Sequence, residues 1–81
     1  MTGDQARLLV VDDEPNIREL LTTSLRFAGF EVVAAADGNE AIHLAVEAEP
    51  DLIVLDVMLP DMDGFTVTRR LREREIGRAY V

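Results

Sequence analysis

Apolar residues along this chain fall alternately into short unbroken runs and into helical spacing. "RLLVVD" at 7–12 is a short apolar run rich in branched residues, which predicts a first strand. Pro15, just behind Glu14, suits the first turn of a helix, where a missing N–H costs nothing. Ile17, Leu20, Leu21, Ser24, Leu25 and Ala28 then recur at three- and four-residue intervals, the mark of one buried helical face. Gly29 supplies the left-handed residue that closes such a helix. "FEVVAAA" at 30–36 predicts a second strand. Asp37 can cap the next helix, with Glu40 completing a capping-box spacing. Ala41, Ile42, Ala45 and Val46 give that helix its apolar face, and Pro50 stops it.

"DLIVLD" at 51–56 predicts a third strand, its four central residues apolar as in a strand buried on both faces. "VMLPDMDG" at 57–64 carries Pro60 and Gly64 and reads as a loop. A third helix is predicted over 65–75 with Phe65, Thr68 and Leu71 inward. Gly77 interrupts it, leaving "RAYV" as at best the first turn of a further element. The order β-α-β-α-β-α implies a parallel sheet with helices on its faces, because each parallel pair needs a crossover connection. There is no internal repeat, low-complexity tract or linker. At 81 residues the chain is one small domain or part of one; such a length buries only about 60–65% of the surface exposed when unfolded.

Composition narrows the picture. Apolar residues make up 48% of the chain, too many for a disordered one. The absence of cysteine removes disulfides and thiolate metal sites and suits a reducing compartment. The apolar runs are too short to span a bilayer, and "MTGDQAR" lacks the basic-then-apolar order of a signal peptide. A cytoplasmic protein with no membrane contact is the expectation. The formal charge of −8 disfavours nucleic-acid binding through this segment. All eight basic residues are arginine; there is no lysine.

The acids matter most. The first strand runs into Asp12, Asp13 and Glu14, and the third ends on Asp56. In a doubly wound sheet, strands end on one rim, and ligands bind where the strand order reverses. If the first and third strands are neighbours, at about 4.8 Å, then Asp12, Asp13 and Asp56 converge in one crevice. Clustered carboxylates repel one another unless a cation neutralises them. Oxygen donors without sulfur or histidine suit Mg²⁺, which takes few protein ligands and keeps room for water and phosphate oxygens. A carboxylate beside such a metal can attack a phosphoryl group and form an aspartyl phosphate.

"LLVVDDEPNIRELL", "AADGNEAI", "DLIVLDVMLPDMDGF" and "RRLRE", in this order and spacing, resemble the receiver domain of bacterial response regulators over residues 7–75. The resemblance implies that Asp56 accepts a phosphoryl group from a histidine kinase. It further implies that Asp12 and Asp13 form, with Asp56, the acidic site for Mg²⁺, and that Met58 gives the metal its backbone carbonyl. Pro60 and Gly64 would shape the adjoining loop. The wording "MLPDMDGF" looks most like the branch that carries a winged-helix DNA-binding domain.

A complete receiver of that family is five-stranded, in the order 2-1-3-4-5. This chain is therefore expected to form an incomplete flavodoxin-like domain over 1–81, with three parallel strands in the order 2-1-3. It would lack the last two β-α units, the switch face they form and any output domain. The family's serine or threonine at the end of strand 4 and lysine at the end of strand 5 would be absent with them. The third strand would become an edge and the first helix would lose a neighbour, so the expectation is a chain marginally folded alone, or one that pairs with itself or a partner through those surfaces.

Other residues have plainer readings. Glu14 reads as a helix-start residue rather than a ligand, and Asp61 and Asp63 as acids of a solvated loop. His43, the only histidine, reads as a helix residue without chemistry. The arginines of "RRLRERE" interleave with Glu73 and Glu75 and read as a solvated, salt-bridged face. Met58 and Met62 imply no cofactor. Two functions compete with a phosphoacceptor module. One is a fragment that docks a kinase, or pairs with another chain, without switching. The other is a phosphatase of the haloacid dehalogenase kind, which needs a second aspartate two residues after its nucleophile, where this chain has Met58.

Overall fold

In the computed structural model, residues 5–56, 59–74 and 79–80 are described. The branched run Arg7–Val11 is strand β1, buried from Leu8 onward. Glu31–Ala35 forms β2 and Leu52–Leu55 forms β3. β1 lies between them, parallel to both, with Val11 opposite Ala35 on one side and Leu55 on the other. The order β2-β1-β3 matches the expectation. The sheet does not stop there: Ala79–Tyr80 forms a short β4, parallel to β3, with Ala79 opposite Leu52 and Tyr80 opposite Ile53. Three strands are thus corrected to four, and the edge of β3 expected to be bare is paired at Leu52 and Ile53. A two-residue strand has no periodicity of its own, so only its partner reveals it.

Strand alternation sorts the core into two layers, because successive side chains point to opposite faces. Leu9 and Val11 join Ala35, Ala41, Ile42, Ala45, Ile53, Val67 and Leu71 on one side. Leu8 and Val10 join Val32 on the other, with Leu21, Leu25, Leu52 and Val54 packed against them. Helices α2 (Gly38–Ala48) and α3 (Gly64–Glu73) cover the first layer, and α1 (Pro15–Phe27) covers the second.

The helix ends follow local rules. Pro15 opens α1, and Gly29, at φ 106°, follows its C-terminus. Asp37 caps α2 by accepting the Glu40 N–H at 2.8 Å, while Glu40 accepts the Ala36 N–H at 2.8 Å. Glu49, at φ 50°, closes α2 ahead of the buried Pro50.

The inward faces differ from the sequence reading in three places. On α1, Leu21, Thr22 and Leu25 face the sheet, whereas Ile17 and Leu20 are 46% and 66% exposed and Ser24 and Ala28 lie outside. The apolar stripe is wider than the strip of sheet it covers. On α2, Val46 is exposed. On α3, Phe65 is 75% exposed and the buried stripe is Gly64, Val67 and Leu71, with Thr68 half-buried. Asp63 caps α3 and makes Gly64 its first residue, which puts Phe65 about 100° round from the buried face. Glu75 and Gly77 lie outside the described residues.

Candidate functional site

The register of the sheet brings the acids together. Asp12 and Asp56 each follow a residue of the Val11–Leu55 pair, at the same end of adjacent parallel strands. Backbone hydrogen bonds carry the ladder one step further. The Asp12 N–H donates to Ala35 O at 3.1 Å, and the Asp56 N–H donates to Val11 O at 2.9 Å. Both aspartates therefore leave the sheet with their backbones held. Asp12, Asp13 and Asp56 each offer a carboxylate oxygen, and these oxygens lie within 4.8 Å of one another. Asp12 and Asp56 are half-buried and Asp13 is exposed, so the cluster opens to solvent on one side. Among the described residues it is the one group of three or more such side chains close enough to share a cation.

Neighbouring groups orient the cluster. The Glu14 N–H donates to Asp12 Oδ1 at 2.9 Å, and the Arg18 guanidinium donates to the Asp12 carbonyl at 2.9 Å. Glu14 itself turns to α1, accepting the Asn16 N–H at 2.7 Å and the Ile17 N–H at 3.3 Å. It is a helix cap, as its position before Pro15 suggested. Three carboxylates with no nitrogen or sulfur donor fit a hard, oxygen-seeking divalent ion such as Mg²⁺. Met58 lies outside the described residues, so its carbonyl is not among the donors placed here.

The loop after β3 holds more than the sequence disclosed. Asp63 is exposed, as expected, but its carboxylate takes the Thr66 N–H at 2.7 Å and caps α3. An aspartate ahead of a helical stretch was signal enough for that role. Asp61, also exposed, reaches across to α2 and accepts the Gly38 N–H at 2.7 Å and the Asn39 N–H at 2.9 Å. Nothing in the spacing of residues 38 and 61 announces that contact. The Gly38 N–H holds the Asp61 carboxyl below the usual carboxylate range, and the Thr66 backbone N–H does the same for Asp63. His43 is a surface residue 3.4 Å from Glu47. Arg69, Arg70, Arg72, Glu73 and Arg74 are all exposed, as a solvated face requires.

A parallel sheet in this order, with an acidic cluster at its carboxyl rim, is the arrangement of a family whose model, the response regulator receiver domain, matches residues 8–80. The chain belongs to that family. The DNA-binding dual master transcriptional regulator RpaA of Synechocystis is 51% identical over 69 residues, 85% of this chain and 29% of that protein. The alkaline phosphatase synthesis transcriptional regulatory protein PhoP of Bacillus subtilis is 49% identical over 70 residues, again 29% of its length. This chain thus spans under a third of those relatives. Among solved structures, response regulator TrrA of Thermotoga maritima, in complex with Mg²⁺-BeF, is 38% identical with a TM-score of 0.86. The match covers 93% of this chain and 66% of TrrA.

The chain is accordingly receiver-domain material of a two-component system, a signalling rather than a phosphatase family. Its relatives are transcriptional regulators, in keeping with the branch that "MLPDMDGF" suggested. Receiver domains pair with histidine kinases and bind Mg²⁺ at an acidic aspartate cluster, and the carboxylates for such a cluster are present here. No described helix is long and apolar enough to cross a membrane.

Proposed function

We propose that Asp56 takes a phosphoryl group from a histidine kinase, with Mg²⁺ held by the carboxylates of Asp12, Asp13 and Asp56 and by the backbone carbonyl of Met58. The observation that carries this reading is the convergence of three carboxylates, drawn from two strand ends, to within 4.8 Å. Bound there, Mg²⁺ would neutralise charge on the transferring group. A carboxylate oxygen of Asp56 forms the new bond to phosphorus as the phosphorus–nitrogen bond to the kinase's histidine breaks. The electron pair leaves with that imidazole. Asp56 is suited to the attack because its backbone is tied to Val11 and its half-buried carboxylate stands at an open rim. Helix α1, which begins at Pro15 just after the acidic pair and leaves Ile17 and Leu20 exposed, supplies an apolar surface for the kinase.

The test is transfer from a kinase labelled on its histidine to the purified chain in the presence of Mg²⁺. Label is expected on the wild type and on a His43→Gln variant, and absent from Asp56→Asn. Label retained by Asp56→Asn would overturn the assignment. A second reading, favoured by the exposed residues of α1, is a module that docks the kinase or a second copy without accepting phosphate. A kinase that binds the chain yet keeps its label throughout would select it.

A further inference from the structure

The first turn of α2 is completed from a distance. A helix leaves its leading N–H groups without internal partners, and in α2 these begin with Gly38, Asn39 and Glu40. Asp37 takes the third. Asp61, in the loop that follows Asp56, takes the first two, one on each carboxylate oxygen. Gly38 makes room for this. It is buried, and φ there is not positive, so backbone freedom is not what its position demands. A Cβ at Gly38 would collide with Met62 Cγ and lie 2.8 Å from Met62 Sδ and 3.1 Å from Asp61 Oδ1. The loop thus rests directly on the Gly38 backbone. The other end of the same connection matters to the acids: Ala35, just before α2, accepts the Asp12 N–H.

We infer that Asp61 and Gly38 are positioning residues for the carboxylate cluster. The Asp61 carboxylate, seated on the first turn of α2 by the missing side chain at Gly38, fixes the loop ahead of α3 against α2. It thereby sets how tightly Asp12, Asp13 and Asp56 hold Mg²⁺. The inference rests on the cation site of the proposed function and adds two residues that touch neither the ion nor the phosphoryl group. Groups that hold metal ligands in place from behind commonly govern affinity.

Titration of the full 81-residue chain with Mg²⁺, followed through the backbone amide resonances of Asp13 and Asp56, tests it without reference to phosphotransfer. Gly38→Ala changes no charge and brings in a better helix former, so by local rules alone it is benign. Through the clamp it should weaken Mg²⁺ by about tenfold. Asp61→Asn keeps one acceptor oxygen, preserves the packing, and should weaken binding several-fold at low and high salt alike. The double variant should bind no more weakly than the worse single one, because both act through one contact. Ile42→Val, a destabilising core change on the same helix, should leave the affinity alone and separate positioning from general loss of stability. Wild-type affinity in Gly38→Ala, additive losses in the double variant, or a loss in Asp61→Asn that vanishes at high salt would each overturn the clamp. If Gly38→Ala does not fold, Asp61→Asn with its salt series decides alone. A wild-type chain whose Asp13 and Asp56 resonances ignore Mg²⁺ would instead bring down the cation site, and the clamp's role with it.

Discussion

Asp13 is the most exposed member of an acidic trio, and its charge has little to recommend it unless a cation is near. Asp13→Asn should therefore raise stability in chelator by about 0.5–1 kcal/mol, the scale of a partly screened surface pair. Ligand linkage gives the converse: Mg²⁺ should raise the thermal midpoint of the wild type and move that of the variant far less. Thermal scans with Mg²⁺ and with chelator check both signs. Thr22 is a different kind of misfit. It is 8% exposed on the inner face of α1, and its hydroxyl has no hydrogen-bond partner among the described residues. Valine has nearly the same shape and nothing to leave unsatisfied. Thr22→Val should stabilise the chain by about 1 kcal/mol in urea denaturation.

At the scale of elements, the helix starts depend on carboxylates that must be ionised. Asp61 serves α2 and Asp63 serves α3, and hydrogen bonds to backbone N–H groups lower the pKa of each from 3.8. A carboxyl depressed on folding stabilises the native state above its unfolded value, and that contribution is lost as pH falls through the lower native one. The first turns of α2 and α3 should then loosen from about pH 4 downward, and not at neutral pH. Amide exchange at Gly38, Asn39 and Thr66 should speed up there ahead of the sheet amides of Leu9 and Ile53. At the other end of α2, Glu49 holds φ 50°, a conformation that costs a non-glycine L-residue about 1–2 kcal/mol. Glu49→Gly should regain part of that, roughly 0.5–1 kcal/mol after glycine's greater loss of freedom on folding.

For the whole molecule, length sets the margin. A radius of gyration of 11.8 Å is that of a compact chain of this size. Net stability on the order of 4–12 kcal/mol is all that 81 residues ordinarily provide. Leu9 is fully buried at the centre of the larger core layer. Leu9→Ala should cost about 2–5 kcal/mol, a large share of that margin, and leave the chain partly unfolded at 37 °C by circular dichroism. On the opposite side, Ile17, Leu20 and Phe27 of α1 are 46%, 66% and 94% exposed. A patch of that kind favours pairing. Sedimentation of the wild type should show reversible association that Leu20→Glu suppresses.

Much of this was legible from sequence because the cues are local. Pro15, Gly29 and Asp37 mark helix ends by what their own backbones and side chains permit, and the structure has each in that role. The strand-end acids were legible as well, since an apolar run that meets aspartates states where the sheet ends and what waits there. The rest depended on neighbours remote in the chain. Periodicity tells which side of a helix is apolar, but the width of sheet beneath it decides that Leu25 is covered and Leu20 is not. Likewise β4 exists through its pairing with β3, and Asp61 gains a role only because the fold carries it to the first turn of α2. Backbone preferences act over a few residues, whereas burial and long-range hydrogen bonds are settled by packing among elements that sequence order does not place side by side.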